Sequence, residues 1–489
     1  MYYFAFALLL AALLGSLAFA GAALIHLWQK KDGIPAFIEK GHILVTGCFL
    51  MASAFLLHAL YWKDYRLDYV SSYTDNILDL FYRLTAFWAG QPGSMLFWGL
   101  TVAVMGSLFA LTTNYMAPAS ARQMASDLAL LPMWYAEAGS AVLAPSAYNA
   151  DFLKTKSELL GMDVALLTEP EVADGKDRKF SPWGWDPALR KRLMTLGADQ
   201  TELPSADYMN ILREHSHRLQ AVKLLPGLRL NEYFCGESFY LSTLAECSAF
   251  VEGREACLLK APLSGSGKGL NWCKGIFTTF ISGWCARVAA SQGGVVGEPI
   301  YNKVEDFAME FYADGRGRVV FAGYSVFHTG GSGMYAGNDL LSDEKILQKL
   351  SAYVPQEEFI RLRTRLEEEL SALFGGFYHG YLGVDMMICH FPDEAPVYRI
   401  HPCVEINLRM NMGVVAWLLT DRYLAADAEG VFRIDYYPLA GQALEEHRQM
   451  SASFPLSVEN NRVCAGYLPL VPVTPQSRYR AFLLLTLPQ

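Results

Sequence analysis

Three transmembrane α-helices followed by a soluble α/β (α+β) region with mixed and antiparallel sheets is the fold class that this sequence predicts. Three observations predict it. The chain has 489 residues, is 52% hydrophobic and 18% charged, and concentrates its apolar excess in residues 1–113. From residue 114 onward, short apolar runs such as Ala141-Val-Leu-Ala and Val164-Ala-Leu-Leu alternate with helical patterns, as in a layered α/β lobe. Further on, Gly383-Val-Asp-Met-Met-Ile-Cys389 and Val404-Glu-Ile-Asn-Leu-Arg409 read as buried strands with acidic groups planted in them.

A bilayer core of about 30 Å takes a helix of about 20 apolar residues. Residues 2–28, 41–62 and 93–112 each meet that length, and the first is too long and lacks the basic leader of a signal peptide. The loop between the first two spans carries Lys30, Lys31 and Lys40. The loop at 63–92 has Lys63, Arg66 and Arg83 offset by Asp64, Asp68, Asp75 and Asp79, and is rich in aromatics. Lysine density places the first loop inside, hence the N-terminus outside and residues 114–489 inside. The expected domains are a membrane domain at 1–113 with its outer aromatic loop, an N-terminal α/β lobe at 114–225, nucleotide- and metal-binding lobes at 226–420, and a C-terminal extension at 421–489 packing on them.

The net charge of −9 excludes general nucleic-acid binding. Nine cysteines contain no C-x-x-C pair, which fits a reducing compartment and offers no zinc site or disulfide framework.

Burying a carboxylate is costly unless it is paired or binds a cation. The period of two puts Glu405, Asn407 and Arg409 on one face of their strand. With Asp385 they make an all-oxygen set suited to Mg²⁺, which keeps waters and takes phosphate oxygens. The adjacent Arg409 suits a phosphate or an acyl phosphate. Upstream, Cys257-Leu-Leu-Lys-Ala-Pro-Leu-Ser-Gly-Ser-Gly-Lys-Gly269 is a short strand ending in Lys260, then a loop of Ser264, Gly265, Ser266, Gly267, Lys268 and Gly269. Backbone N–H groups of such a loop close on phosphates, and the lysines add charge. It is not a Walker loop, because Gly269 follows Lys268 where that motif has Ser or Thr.

Taken together, these motifs resemble the ATP-grasp family, in order over residues 225–415. The resemblance implies an ATP-grasp-like soluble region. Lys260 and the glycine loop would hold the triphosphate, with Lys268 and Arg409 serving catalysis. Asp385, Glu405 and Asn407 would hold Mg²⁺. The family's inter-lobe strand, which holds adenine through its backbone, looks like Gly294-Val-Val-Gly-Glu-Pro299, bringing in Val296 and Glu298. The following acidic position, near the ribose, looks like Glu305 or Asp306. The implied activity is ATP- and Mg²⁺-dependent joining of a carboxylate to an amine or similar nucleophile through an acyl phosphate.

A second resemblance covers residues 40–110. Trp88, Gly90, Gly93, Ser94, Leu96 and Trp98 match, in order, a pattern of the cytochrome c assembly proteins that handle haem. That implies haem handling or delivery as an alternative function, and cytochrome c assembly components as partners. The match is truncated: that family's later ligand-bearing helices are missing, leaving His26, His42 and His58, so haem is not expected. Pro182-Trp-Gly-Trp-Asp-Pro187 reads as an unrelated soluble turn. A non-catalytic nucleotide-binding protein is a further alternative. The partners expected are small carboxylates and amines and the lipid bilayer. The location expected is a bacterial inner (plasma) membrane with the soluble region in the cytoplasm, where ATP is available.

Overall fold

The structure, a computed structural model, describes residues 2–29, 34–113, 119–175, 178–265, 269–330 and 335–486. Two compact units divide it, Met1–Pro118 and Ala119–Gln489.

The first unit consists of α1 (Tyr2–Gln29), α2 (Ile34–Tyr61), the short α3 (Asp68–Tyr73) and α4 (Leu80–Thr85), and α5 (Gln91–Thr113). Helix α2 packs on both α1 and α5. Leu13, Leu17, Leu24, Leu44 and Met105 are exposed, while Thr46, Ser53 and Ser107 are buried. Among the described residues, two helices are long and apolar enough to cross a membrane, Tyr3–Ile25 and Gly41–Tyr61. The third expected span, 93–112, is helical within α5; the side chains of its last residues lie outside the described residues, and it is not among these two.

The aromatic loop has a packing explanation. The Tyr69 hydroxyl donates to the Ala86 carbonyl at 2.9 Å and accepts from the Gly90 amide at 3.1 Å. A Cβ on Gly93 would fall 2.1 Å from that hydroxyl. The glycines of the Trp-x-Gly-x-x-Gly pattern therefore let the backbone close on a tyrosine. His42 donates to the Ala103 carbonyl at 3.1 Å, and His58 is exposed in the last turn of α2. The His26 side chain lies outside the described residues.

The second unit opens with α6 (Ala119–Asp127), β1 (Ser140–Leu143), α7 (Asn149–Leu160) and β2 (Val164–Leu167), with β1 and β2 paired in parallel. Helices α8 (Pro187–Thr195), α9 (Ala206–His215) and α10 (Leu219–Leu228) follow. A small sheet comprises β3 (Phe239–Leu241), β4 (Cys257–Lys260), β5 (Leu270–Cys273) and β6 (Val295–Pro299) in the order β3-β6-β4-β5. It is backed by α11 (Leu244–Glu252) and α12 (Thr279–Gln292) over a core that includes Cys247, Phe250, Leu259 and Cys285. Thr243 and Glu246 form a capping box on α11, and the Thr278 hydroxyl caps α12.

The large sheet has nine strands. They are β7 (Lys303–Asp314), β8 (Val319–Thr329), β9 (Tyr335–Leu340), β10 (His379–His390), β11 (Tyr398–Asn407), β12 (Glu429–Tyr436), β13 (Ser457–Glu459), β14 (Arg462–Pro469) and β15 (Tyr479–Thr486). Their order is β11-β10-β7-β8-β9-β12-β15-β14-β13. Strands β7 and β8 pair as an antiparallel hairpin. The charged stretch 343–373 makes two helices, α13 (Asp343–Ser351) and α14 (Gln356–Phe374), because Pro355 interrupts it. Alternation decides the faces of this sheet. Phe307, Met309, Phe311, Val384, Met386 and Ile388 point into a core shared with α13 and α14. The opposite face carries the polar residues of the site and packs partly on α15 (Met412–Tyr423). The expected C-terminal extension is not a separate layer: β12–β15, with α16 (Gln442–Ser453), continue the same sheet.

Candidate functional site

Asp385 and Glu405 stand directly opposite each other on the antiparallel pair β10–β11, and Gly383 stands opposite Asn407. Directly opposed residues share a face. One register step beyond Asp385, the pairing shifts at a bulge. Asn407 donates through Nδ2 to Asp385 Oδ2 at 3.0 Å, and its Oδ1 accepts from Arg409 Nη2 at 2.9 Å. Thus Asp385, Asn407 and Arg409 form one hydrogen-bonded chain, with Glu405 opposite Asp385 in register. Burial, then the neighbouring Glu405 charge, pushes the Asp385 carboxyl up to about 7, against the pull of Asn407 and Arg409. A bound cation would relieve that charge crowding.

Register also separates the two acidic residues of β7. Asp306 is opposite Met387 and Ala308 is opposite Asp385, so Asp306 shares the site's face. It is held by Lys303 and by the Thr329 hydroxyl, the latter at 2.9 Å. Glu305 is opposite Ile388 and pairs with Lys349 of α13 at 3.2 Å. Of the two acidic residues expected near the ribose, the pleat thus turns Glu305 to the helix-covered face and leaves Asp306 on the face of Asp385.

Lys260 ends β4 and is 5% exposed. It pairs with Glu298 of β6 at 2.5 Å, with both side chains buried. Val296 is buried and stands opposite Lys260 in register. In the loop that follows, the Ser264 hydroxyl donates to the Ala261 carbonyl at 2.9 Å. The Ala261 amide donates to the Gly269 carbonyl at 2.8 Å and closes the loop. Gly269 sits at φ +70°, where a Cβ would strike the Ser264 side chain. Ser266, Gly267 and Lys268 lie outside the described residues.

One further residue joins the halves of the site. The stretch 211–225, with Arg213, His215, His217, Arg218 and Lys223, reads as a helix whose basic face is either solvated or turned to an anionic substrate; it breaks between α9 and α10, and Arg218 at the break is buried. Its Nη2 donates to Glu405 Oε2 at 2.7 Å. Its Nη1 donates to the Ala261 carbonyl and to the Ser264 hydroxyl, each at 2.7 Å. Arg409 closes the other side, with its Nη2 3.5 Å from where a Gly265 Cβ would stand. The glycine loop and the metal strands therefore converge on one place.

The Trp183-Gly184-Trp185 turn packs beside this set. The Met410 amide donates to the Trp183 carbonyl at 2.9 Å. A Cβ on Gly184 would lie 3.3 Å from the Arg409 Cβ. Beside the set, His401 is fully buried, and neither ring nitrogen has a hydrogen-bond partner. Burial, with the Lys260 charge nearby, pushes its pKa down to about 3, so the ring is neutral.

Among the described residues, no group of three or more His, Cys, Asp and Glu side chains is placed to hold a metal. Mg²⁺ does not require one: one or two carboxylates with substrate phosphates suffice. Asp385, Glu405 and the Asn407 amide oxygen are hard donors on one face, and they fit that ion.

No protein-family model matches the sequence, and no curated protein matches it. The cytochrome c assembly resemblance of residues 40–110 therefore gains no support. Several solved structures resemble the fold. Biotin carboxylase from Campylobacter jejuni, in complex with β,γ-ATP, has a TM-score of 0.42 at 11% identity, covering 74% of this chain and 85% of that one. N5-carboxyaminoimidazole synthetase from Staphylococcus aureus, complexed with ADP, has a TM-score of 0.37 at 10% identity, covering 71% and 93%. Carboxyaminoimidazole ribonucleotide synthase from Aspergillus clavatus, complexed with ATP, has a TM-score of 0.39 at 12% identity, covering 72% and 94%. At TM-scores below one half, these likenesses do not decide between functions.

Proposed function

We propose that residues 119–486 form an ATP- and Mg²⁺-dependent ligase of the ATP-grasp type, joining a small carboxylate to an amine or similar nucleophile. The observation that carries this reading is Arg218, whose single guanidinium bonds both Glu405 and the loop of Ala261 and Ser264. A glycine loop and a carboxylate–amide–arginine strand brought together in this way suit a polyphosphate and its cation.

In this reading Lys260, Arg218 and the loop amides bind the phosphates, and the ion pairs with Glu298 and Glu405 keep both cations fixed before substrate arrives. Asp306, not Glu305, is the acidic group on the nucleotide's side. Asp385, Glu405 and Asn407 would hold Mg²⁺, which supplies charge neutralisation to the phosphates when bound. Arg409 lies against the loop and stabilises the phosphoryl group as the substrate carboxylate attacks. The amine then attacks the acyl carbon of the resulting acyl phosphate, and inorganic phosphate leaves as the C–N bond forms. The Trp183–Trp185 turn walls the Arg409 side of the site and helps to exclude water.

The first unit is read as a membrane tether. Its supports are two helices of spanning length and the exposed leucines along them. The need for ATP places the soluble unit on the cytoplasmic face of a bacterial plasma membrane.

The test is Mg²⁺-dependent ATP hydrolysis by the full chain in detergent, against panels of small carboxylates and amines. Asp385→Asn should lose roughly a hundredfold or more of turnover with its fold intact by circular dichroism. Wild-type turnover in the folded variant would remove Asp385 from the metal set.

A further inference from the structure

A second cleft, of about 540 Å³, shares no residue with the site above. That volume falls within the range of small-molecule sites, roughly 300–1,000 Å³. Three elements build it. Helix α7 lends Tyr148 at its N-cap and then Phe152 and Lys156, a spacing of four that keeps them on one face. Helix α16 lends His447 and Ser451, again four apart. Strand β14 supplies Tyr467, whose hydroxyl bonds His447 Nδ1 at 3.0 Å.

The Lys156 charge is not balanced internally. Among the described residues no carboxylate lies within ion-pair distance of it. Its ammonium instead sits 5.4 Å from the centre of the Phe152 ring. Burial lowers its pKa, as expected of a cation without an anionic partner. Arg480, behind the Tyr467 ring, is 2% exposed and is ion-paired through Nη2 with Asp435 at 3.4 Å. The one carboxylate lining the cleft is Asp151, which is exposed. At the mouth, Tyr148 holds φ +61°, a conformation that is costly for a side chain of its size. No side chain caps α7 there.

We propose that this cleft is a second ligand site, for a small molecule with an anionic head, carboxylate or phosphate, on an apolar body. Lys156 meets the head and His447, neutral and desolvated, gives it a hydrogen bond. Phe152, Tyr467 and the apolar run Val471–Val473 pack on the body. An aromatic floor with one convergent cation is the arrangement that selects such a ligand over a neutral one.

The experiment is calorimetry on the full chain in detergent with benzoate, phenyl phosphate and the neutral benzyl alcohol. At least one anion should bind with a Kd below about 1 mM, and benzyl alcohol should not. The two anions distinguish a carboxylate head from a phosphate head. Lys156→Met, which keeps the packing on Phe152, should weaken the anion at least tenfold. Ser451→Trp, at an exposed helix position, should fill the cleft and abolish binding, and MgATP binding should be unchanged in both variants. The proposal is overturned if neither anion binds the wild type, if benzyl alcohol binds as well as the anions, or if both variants bind like the wild type.

Discussion

With the first unit in lipid, as proposed, the two units apply the same rule with the solvent exchanged. In the soluble unit Phe307, Phe311 and Leu382 are buried and charges lie outside, except where a carboxylate is paired. In the first unit Leu13, Leu17 and Leu24 face outward while Thr46, Ser53 and Ser107 are buried. A helix in lipid gains nothing by hiding leucine, so its interior is left to small and hydroxyl residues that bond across helices. The comparison separates two kinds of buried polarity. In the soluble unit it assembles chemistry, through Arg218, Asp385 and Glu405. In the first unit it holds helices together, through His42, Thr46 and Ser107. The two should differ in what their removal costs.

The largest effect is expected at Arg218. Arg218→Met leaves the Glu405 carboxylate without its partner and unties Ser264 and Ala261. Breaking a buried pair costs about 3 kcal/mol, taken at the low end because Glu405 keeps about a fifth of its side chain exposed. Urea denaturation should show that loss, and MgATP binding should fall with it. If the variant binds MgATP as the wild type does, Arg218 is only a structural clamp.

How much of this was legible follows from range. Asp385, Glu405, Asn407 and Arg409 were readable because a period of two and the cost of burying carboxylates are local. The same period could have separated Asp306 from Glu305, had the strand partner of each been known, but pairing is set far along the chain. Pro355 was a local signal for the break between α13 and α14. Arg218 was legible only as one cation on a basic face, solvated or turned to an anion, because its partners arrive from residues 261–264 and 405. Nor was the continuation of the large sheet through β12–β15, whose strands announce no neighbour.

Glu310 should show a pH effect of intermediate size. It is 1% exposed, accepts from the Ser325 hydroxyl and the Asn411 amide at 2.9 Å each, and crowds Gly383 and Gly413. Burial pushes its carboxyl from 4.5 up to about 8, so the neutral form is the one the fold favours. A raised pKa means that its stabilisation is complete below about 4.5 and is lost as pH rises through about 8. Stability of the soluble unit should therefore decline over that window, and Glu310→Gln, which stays neutral, should flatten the decline. An unchanged slope in the variant would show that Glu310 is not the titrating group.

The smallest effect is expected in the first unit. Thr46 lies 2.9 Å from the Ala103 carbonyl and 2.7 Å from the Ser107 hydroxyl, joining α2 to α5. In water a buried hydroxyl pair of this kind would have to outweigh competing bonds to solvent. With the first unit in lipid, as proposed, the competitor is another protein group, because a separated helix can turn its threonine back onto its own carbonyl, as Thr46 already does with His42 at 3.0 Å. The pair should therefore contribute only about 0.6 kcal/mol, much less than the Arg218 pair. A double-mutant cycle of Thr46→Val and Ser107→Ala, read from unfolding of the full chain in detergent, measures it. A coupling energy as large as that at Arg218 would mean that the Thr46–Ser107 contact carries more than helix adhesion, and would place polar residues of the first unit among the working parts of the molecule.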